Sequence, residues 1–236
     1  MLLLGLAIAP GIAIVLFIYF KDSYDKEPWR YLLASFFLGA LSVIPPLLFQ
    51  IVVPEKFDGL FAEKSWSYYA FQAFAMVAFS EELSKFIMVR YFAFRKPAFN
   101  EPFDGIVYSV IVSMGFATVE NIGYVMQHGF ATAILRMFLS VPAHASFGVI
   151  MGFHIGLAKF STQPLQHFLK GLLLAILFHG CYDYFLFLLE SKEVTRYVSE
   201  GLLVLGALLS YFIAIRVSLR SIREGRRLKE THLQID

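Results

Sequence analysis

Charge and cysteine are both scarce in this chain. Only 16% of its 236 residues are charged, and Cys181 is its one cysteine, which excludes an intrachain disulfide framework. By contrast, 58% of the residues are hydrophobic and the mean hydropathy is +0.66. A soluble domain of this length cannot bury so much apolar surface. The chain is therefore predicted to lie in a lipid bilayer.

Apolar stretches long enough to cross a bilayer follow one another along the sequence. A helix rises about 1.5 Å per residue, so about 20 residues span a hydrocarbon core about 30 Å thick. The pattern predicts an all-α, polytopic transmembrane bundle of seven or eight spans, with no separate soluble domain. The predicted spans are residues 2–20, 31–53, 67–93, 103–126, 133–158, 167–189 and 201–219.

Two prolines interrupt the second predicted span. Pro45 and Pro46 remove two backbone donors, so the helix must bend or break there. Membrane bundles tolerate such an interruption when neighbouring groups bond the freed carbonyls. The pattern leaves open whether the interruption opens a cavity or only kinks the helix.

Basic residues are distributed unevenly between the two sides of the predicted bundle. With the N-terminus outside and the C-terminus inside, 14 Lys and Arg residues fall on the inner side and five on the outer side. This asymmetry satisfies the positive-inside rule. Residues 220–236 are predicted to be a cytoplasmic tail that contacts anionic lipid headgroups, and no nucleic-acid partner is expected. The outer-side residues are Lys56, Lys64, Arg136, Lys192 and Arg196.

Ionisable residues near the centres of the predicted spans indicate a function. Each such charge costs about 2.5–3.5 kcal/mol on membrane-insertion scales, so these residues are rare without a role. When each helix is traced in its predicted direction, four of these residues fall between mid-membrane and the outer third, and we expect these four to converge in one cavity. The four are Glu81, Glu120, His144 and His179. The candidates are Glu81, Glu82, Lys85, Glu120, His144, His154, His179 and Asp183.

Two adjacent glutamates lie in the third predicted span. Glu81 and Lys85 are one helical turn apart and are expected to pair, whereas Glu82 projects roughly 100° away around the helix. A carboxyl left unpaired in a low-dielectric setting is suited to act as a general base, so either glutamate is a candidate to activate a water. The structural alternative is a Glu81–Lys85 bridge with Glu82 bonded to a neighbouring helix.

Histidines supply the second part of the candidate site. His179 and Asp183 share one helix face, so the carboxylate can hold the imidazole. The other ring nitrogen would then orient a water, stabilise an oxyanion or bind a metal. His144 is equally compatible with helix packing, and His154 is interpreted as structural. The chain has no Gly-x-Ser-x-Gly or His-Glu-x-x-His motif, which argues against a serine nucleophile or that type of zinc peptidase.

The motifs on successive spans, taken together, resemble the PrsW family of membrane-embedded proteases. That family looks related to the broader CPBP group, which includes CAAX-prenyl endopeptidases. A CPBP-type pattern requires Arg in place of Phe86 and His in place of Glu120. This chain differs from the CPBP pattern at both places and follows the PrsW pattern instead. The motifs are Glu81-Glu82-x-x-Lys85, Phe116-x-x-x-Glu120-Asn121, His144, His179-x-x-x-Asp183 and, in the first loop, Glu27-Pro28-Trp29.

This resemblance implies a glutamic-type intramembrane endopeptidase of the bacterial plasma membrane. It implies a first, extracytoplasmic-side cut in a single-span membrane protein such as an anti-sigma factor. The implied catalytic residues are Glu81, Glu82 and His179. The implied supporting residues are Lys85, Glu120, Asn121, His144 and Asp183. No cofactor is favoured; zinc is the alternative, with Glu81, Glu82, His144 and His179 as its ligands.

Two non-enzymatic alternatives use the same residues. An ion- or proton-coupled transporter would use buried carboxylates to relay protons or to bind a cation. A membrane scaffold would use the cluster only to fix the packing of its helices. Loss of transport and loss of stability, respectively, distinguish these alternatives from a peptidase.

Overall fold

The computed structural model describes residues 1–22, 26–53, 61 and 65–233, with side chains through residue 228. These residues form helices and connecting turns, and no β-strand occurs among them. A π-helical stretch, Phe71–Ala78, joins two of the helices, and a 3-10 turn, Ala93–Arg95, follows another. The α-helices are α1 (Leu2–Lys21), α2 (Trp29–Leu41), α3 (Ile44–Val52), α4 (Trp66–Ala70), α5 (Phe79–Tyr91), α6 (Pro102–His128), α7 (Phe130–Phe138), α8 (Ser140–Lys159), α9 (Pro164–Leu188), α10 (Lys192–Thr195) and α11 (Glu200–Leu233).

Six helical stretches of the described chain are long and apolar enough to cross a membrane. The predicted all-α, polytopic membrane bundle is therefore confirmed. The six stretches are Leu2–Lys21, Trp29–Val52, Pro102–His128, Phe130–Lys159, Pro164–Leu188 and Glu200–Leu228.

A further helical stretch lies where the third span was predicted. It runs from Trp66 to Tyr91 through α4, the π-helical stretch and α5. It is not among the six, and it carries the charged residues Glu81, Glu82 and Lys85. The number of seven spans and the N-out orientation thus stay predictions. Lys56, Lys64 and the side chain of Lys229, which entered the charge count, lie outside the described residues.

Helix α6 runs through the centre of the bundle. Over an apolar 18-residue part of this helix, 94% of the residues are buried, and the helix packs against α1, α2 and α8. Glycines allow this close approach, as small residues commonly do between membrane helices. A Cβ added at Gly105 of α6 would overlap the backbone of Gly152 and Gly156 of α8, and a Cβ at Gly39 of α2 would overlap the Val112 carbonyl.

The two prolines break the second span instead of only bending it. Helix α2 ends at Leu41 and α3 begins at Ile44. Pro46 has no N–H to offer the Ser42 carbonyl, and the hydroxyl of Ser84 on α5 donates to that carbonyl at 2.7 Å. A neighbour therefore bonds a freed carbonyl, as expected. The bond also ties the break to the helix that carries the two glutamates.

The first-loop motif anchors α2 to α6. Trp29 is the first residue of α2, and the Tyr108 hydroxyl of α6 donates to the buried Glu27 carboxylate. At the start of α6, Glu101 and Asp104 form a reciprocal capping box. These contacts give the polar loops at this end of the bundle a structural role.

Gly115 and Gly123 offer a matched test of the packing around α6, because both belong to this helix. A Cβ at Gly115 would overlap the Phe36 carbonyl of α2, whereas a Cβ at Gly123 has no neighbour within 4 Å among the described residues, apart from the adjacent backbone of its own helix. Each alanine gains about 1 kcal/mol of helix propensity. We nevertheless expect Gly115→Ala to destabilise the fold by roughly 1–3 kcal/mol through overpacking, and Gly123→Ala to be neutral or stabilising. Thermal unfolding in detergent measures both variants, and equal effects would contradict this packing.

Candidate active site

Four ionisable residues meet in a buried cluster between α5, α8 and α9. Glu81 and Glu82 come from α5, His144 from α8 and His179 from α9. One carboxylate oxygen or ring nitrogen from each of the four lies within 4.8 Å of those of the other three, and all four side chains are buried. We call this group the Glu-His cage. The convergence expected from the helix directions is therefore present, and Glu120 joins the cage through His144.

Lys85 lies among the donor atoms of the cage and corrects one expectation. Its Nζ is 2.8 Å from a Glu82 oxygen and 3.4 Å from a Glu81 oxygen. The expected pair of Lys85 with Glu81 is therefore present, but the expectation that Glu82 is left unpaired is wrong. The long lysine side chain reaches the residues three and four positions before it. The same Nζ lies 3.3 Å from His144 Nδ1 and 4.0 Å from the centre of the Phe116 ring.

His179 is held between two carboxylates. Its Nδ1 is 2.8 Å from Glu82 Oε1, and its Nε2 is 3.1 Å from Asp183 Oδ2. The expected pairing of His179 with Asp183 across one helical turn is thus present. Two acceptors facing the two ring nitrogens are both satisfied when the imidazole carries both ring protons. The Phe147 ring stacks on the imidazole at a centroid distance of 4.9 Å, so the ring plane is fixed as well.

His144 links Lys85 to a second ion pair. Since Lys85 donates toward Nδ1, the ring proton belongs on Nε2, which faces Glu120 Oε2 at 2.9 Å. Arg136 Nη2 donates to the same Glu120 oxygen at 2.7 Å, and Arg136 Nε donates to Asn121 Oδ1 at 2.9 Å. Both ring nitrogens of His144 therefore have partners.

A cavity of about 330 Å³ borders the cage. This volume is within the usual range for ligand pockets, about 300–1,000 Å³. Glu81 lines the cavity, whereas Glu82 is fully buried next to it. Residues of the break between α2 and α3, including Val43 and Pro46, also line it, so the break contributes to a cavity. Other polar lining residues are Gln50, Glu120, Tyr124, Arg136, Ser140, His144, His179, Tyr182, Asp183 and Glu190.

Arg136 and Phe147 line the same cavity and were not selected as candidate site residues from the sequence. Arg136 was counted only as a charge on the outer side. The sequence does contain a signal for Arg136 as a site residue, because it is the one charged residue of the apolar helix α7. Phe147 is one of 26 phenylalanines in the chain, and nothing in its sequence context separates it from the others.

Two residues discussed from the sequence lie outside the cage. Asn121 Nδ2 donates to the Ala7 carbonyl at 2.8 Å, so Asn121 ties α6 to α1. His154, interpreted as structural, packs against the rings of Phe153 and His167. The structure brings most of the predicted catalytic and supporting residues together. Their roles stay predictions.

The donor types of the cage match a zinc site, but Lys85 lies among them. Carboxylates and imidazoles are zinc ligands, and a carboxylate braces each imidazole at Nε2, as is usual for metal-bound histidines. However, the ammonium contacts three of the four cage residues. A divalent ion beside this ammonium would be strongly repelled in so buried a setting. As arranged, the cage does not fit zinc.

The sequence is similar to that of a known protease family over most of its length. The family model described as "PrsW family intramembrane metalloprotease" matches residues 27–216. Protease PrsW of Geobacillus kaustophilus is 41% identical over 192 residues, which cover 81% of each chain. Protease PrsW of Bacillus subtilis is 39% identical over 193 residues, covering 80% of this chain and 84% of the relative. No solved structure matches the chain.

The contact between Arg136 and Glu120 should contribute to stability. Their side chains are 13% and 19% exposed, so Arg136→Ala leaves a mostly buried carboxylate with one partner fewer. We expect a loss of about 1–3 kcal/mol, the usual cost of an unsatisfied buried polar group, and a smaller loss for Arg136→Lys. The control Arg196→Ala removes an exposed arginine and should leave the unfolding temperature unchanged.

A double-mutant cycle with Glu120→Gln tests whether this contact is direct. Once Arg136 is absent, neutralising Glu120 should restore part of the lost stability, because the stranded charge disappears. Thermal unfolding of the single and double variants in detergent measures the coupling. Strictly additive effects would contradict the ion pair.

Proposed function

Because this chain belongs to the PrsW family of intramembrane proteases, we propose that it is a glutamic-type endopeptidase in which Glu81 activates the attacking water. Family membership makes the chain a membrane-embedded peptidase and a multi-pass bacterial membrane protein. The catalytic type, the residue roles and the substrate are the proposed parts. The observation that carries the catalytic type is that Glu81 is the cage carboxylate that lines the cavity.

The environments of the two glutamates support different roles for them. Glu82 is 0% exposed and is engaged by Lys85 and by His179, each at 2.8 Å. Glu81 is 5% exposed, borders the cavity and has a longer contact, 3.4 Å, with Lys85. A general base must reach a water that the substrate also reaches. This requirement favours Glu81 as the base and Glu82 as a positioning residue.

In the proposed reaction, Glu81 takes a proton from a water while the water oxygen bonds to the carbonyl carbon of the scissile peptide. The carbonyl oxygen becomes negatively charged, and a doubly protonated His179 stabilises that charge electrostatically from the cavity wall. Glu81 then gives its proton to the amide nitrogen as the carbon–nitrogen bond breaks. The products are a new carboxyl terminus and a new amino terminus.

The remaining ionisable residues are proposed to position the reacting groups. Asp183 and Glu82 hold His179 at its two ring nitrogens. Glu120 holds His144, whose ring nitrogens both have partners and are therefore less suited to proton transfer. Lys85 neutralises Glu82 and restrains Glu81.

We place the substrate among single-span membrane proteins, such as an anti-sigma factor, with the cut on the extracytoplasmic side. In the predicted N-out orientation, the cage lies between mid-membrane and the outer third of the bilayer. The cavity also has an apolar part, which includes Leu47, Leu186 and Phe187. Apolar walls of this kind suit the side chains of a segment that itself lies in lipid.

Glu81→Gln keeps the size of the side chain and removes the proposed base. We expect cleavage of a co-expressed, doubly tagged single-span anti-sigma factor to fall by about 10²–10⁴-fold, the usual contribution of a general base. Membrane level should not change, and the unfolding temperature should fall only slightly, because Lys85 loses its 3.4 Å contact with Glu81 but keeps the 2.8 Å contact with Glu82. Glu193→Gln makes the same chemical change at an exposed residue of α10 and should cleave like the intact protein. Immunoblots against both tags, normalised to the protease in the membrane, measure the rates.

Glu82→Gln distinguishes the two glutamates. Because Lys85 and His179 both depend on Glu82, this variant should lose stability as well as cleavage. Cleavage that persists in Glu81→Gln and disappears in Glu82→Gln would reassign the base. Cleavage retained in both variants would exclude a glutamic mechanism. An intact protein that cleaves nothing, and that shows proton or ion flux lost in Glu81→Gln, would favour the transporter alternative.

A glutamic mechanism also predicts that cleavage survives removal of metal ions. Purified protein is treated with a strong chelator, shown to be metal-free by mass spectrometry and assayed against the same substrate. We expect an unchanged rate, because Glu81 alone accepts the proton of the water. A rate that disappears on chelation and returns with added zinc would establish a metal-dependent mechanism instead.

A further inference from the structure

We propose that the Lys85 ammonium is the resident cation of the Glu-His cage and takes the place that a metal ion would occupy. The cage then consists of four side chains of the types that bind metal ions. A lysine from the helix that carries the two glutamates supplies the cation between them. This inference rests on the proposed glutamic function, since it explains how such a donor set can work without a metal.

The Lys85 ammonium has one N–H group for each of three acceptor atoms of the cage. It has three N–H groups, and Nζ faces three acceptors: Glu82 Oε1 at 2.8 Å, His144 Nδ1 at 3.3 Å and Glu81 Oε2 at 3.4 Å. Zinc, by contrast, takes nitrogen and oxygen ligands at about 2.0–2.2 Å. The acceptors of the cage are thus arranged around a hydrogen-bonding cation.

The fourth donor of the cage is engaged as well. His179 Nδ1 faces Glu82 at 2.8 Å, and its Nε2 faces Asp183 at 3.1 Å. A metal ion entering the cage would have to separate Nδ1 from Glu82 as well as displace Lys85. The whole donor set is therefore satisfied by side chains of the protein.

Lys85 cannot leave the cage without a large cost. Its side chain is 0% exposed, and the Phe116 ring lies 4.0 Å from Nζ. Moving the ammonium away would strand it among apolar groups and leave Glu81 and Glu82 without their cation. Keeping it in place beside a divalent ion would bring like charges together in a low-dielectric interior. The ammonium and a metal ion therefore exclude each other.

Removal of the ammonium should convert the cage into a metal site. Lys85→Ala leaves two carboxylates and two imidazoles around the vacated space, and the imidazoles keep their carboxylate partners at Nε2. Zinc suits this set of four nitrogen and oxygen donors. Lys85→Arg retains a positive charge on the same helix and should keep the metal out.

The experiment measures bound zinc in the purified full chain, in detergent and without substrate. Intact protein, Lys85→Ala and Lys85→Arg are incubated with zinc, freed of unbound ion and analysed by mass spectrometry for metals. We expect about one zinc per chain in Lys85→Ala and no His144-dependent zinc in the other two. Zinc should also raise the unfolding temperature of Lys85→Ala alone. Adding His144→Ala to Lys85→Ala should abolish binding, which assigns the ion to the cage.

Two results would overturn the inference. One is stoichiometric zinc in the intact protein that disappears in His144→Ala and in His179→Ala. The other is a folded, monodisperse Lys85→Ala that takes up no zinc. If Lys85→Ala aggregates, Lys85→Ser, which vacates the same space, replaces it, and the zinc content of the intact protein still decides.

The outcome is also independent of the cleavage assay. Bound zinc is measured without substrate, so a Glu81→Gln protein that still cleaves would reject the proposed base without changing the metal result. Conversely, a zinc-binding intact cage would reject the resident ammonium even if Glu81 proved essential. Failure of the inference and failure of the proposed function are therefore distinguishable.

Discussion

Mutual compensation of buried charges is the constraint on which the rest of this structure depends. A charge in a low-dielectric interior is tolerated only when an opposite charge and hydrogen-bond partners lie beside it. Here the compensating groups come from five helices, α5 to α9, so these helices cannot rotate or slide independently without exposing an unpaired charge. The network runs through Arg136, Glu120, His144, Lys85, Glu81, Glu82, His179 and Asp183.

The same network decides what chemistry the donor set can support. The matching family is described as a metalloprotease, and two carboxylates with two imidazoles are suitable zinc ligands. The ammonium of Lys85 among these donors instead neutralises Glu82, while Glu81 borders the cavity. A carboxylate beside an intramembrane cavity would also suit a proton-coupled transporter, and membership in a protease family is what favours hydrolysis here.

Much of the fold and many of the site residues could be predicted from the sequence, because the signals involved are local. Hydropathy over about 20 residues identified the lipid environment and the helical class. The cost of membrane charges selected the residues that form the cage. Pairs within one helix, such as His179 with Asp183, follow from the helical period. The break at Pro45 and Pro46 follows from their missing N–H groups.

The sequence by itself therefore determined the lipid environment, the helices and the set of reactive side chains. Only the tertiary structure decided how these side chains meet. Lys85 lies closer to Glu82 than to Glu81, Glu81 borders the cavity, and Arg136 braces Glu120. Sequence spacing fixes the angle between two residues of one helix, but it does not fix the rotation of that helix against its neighbours. For α5 that rotation is set by packing against α2, α3, α6 and α9, which depends on contacts between residues far apart in the chain.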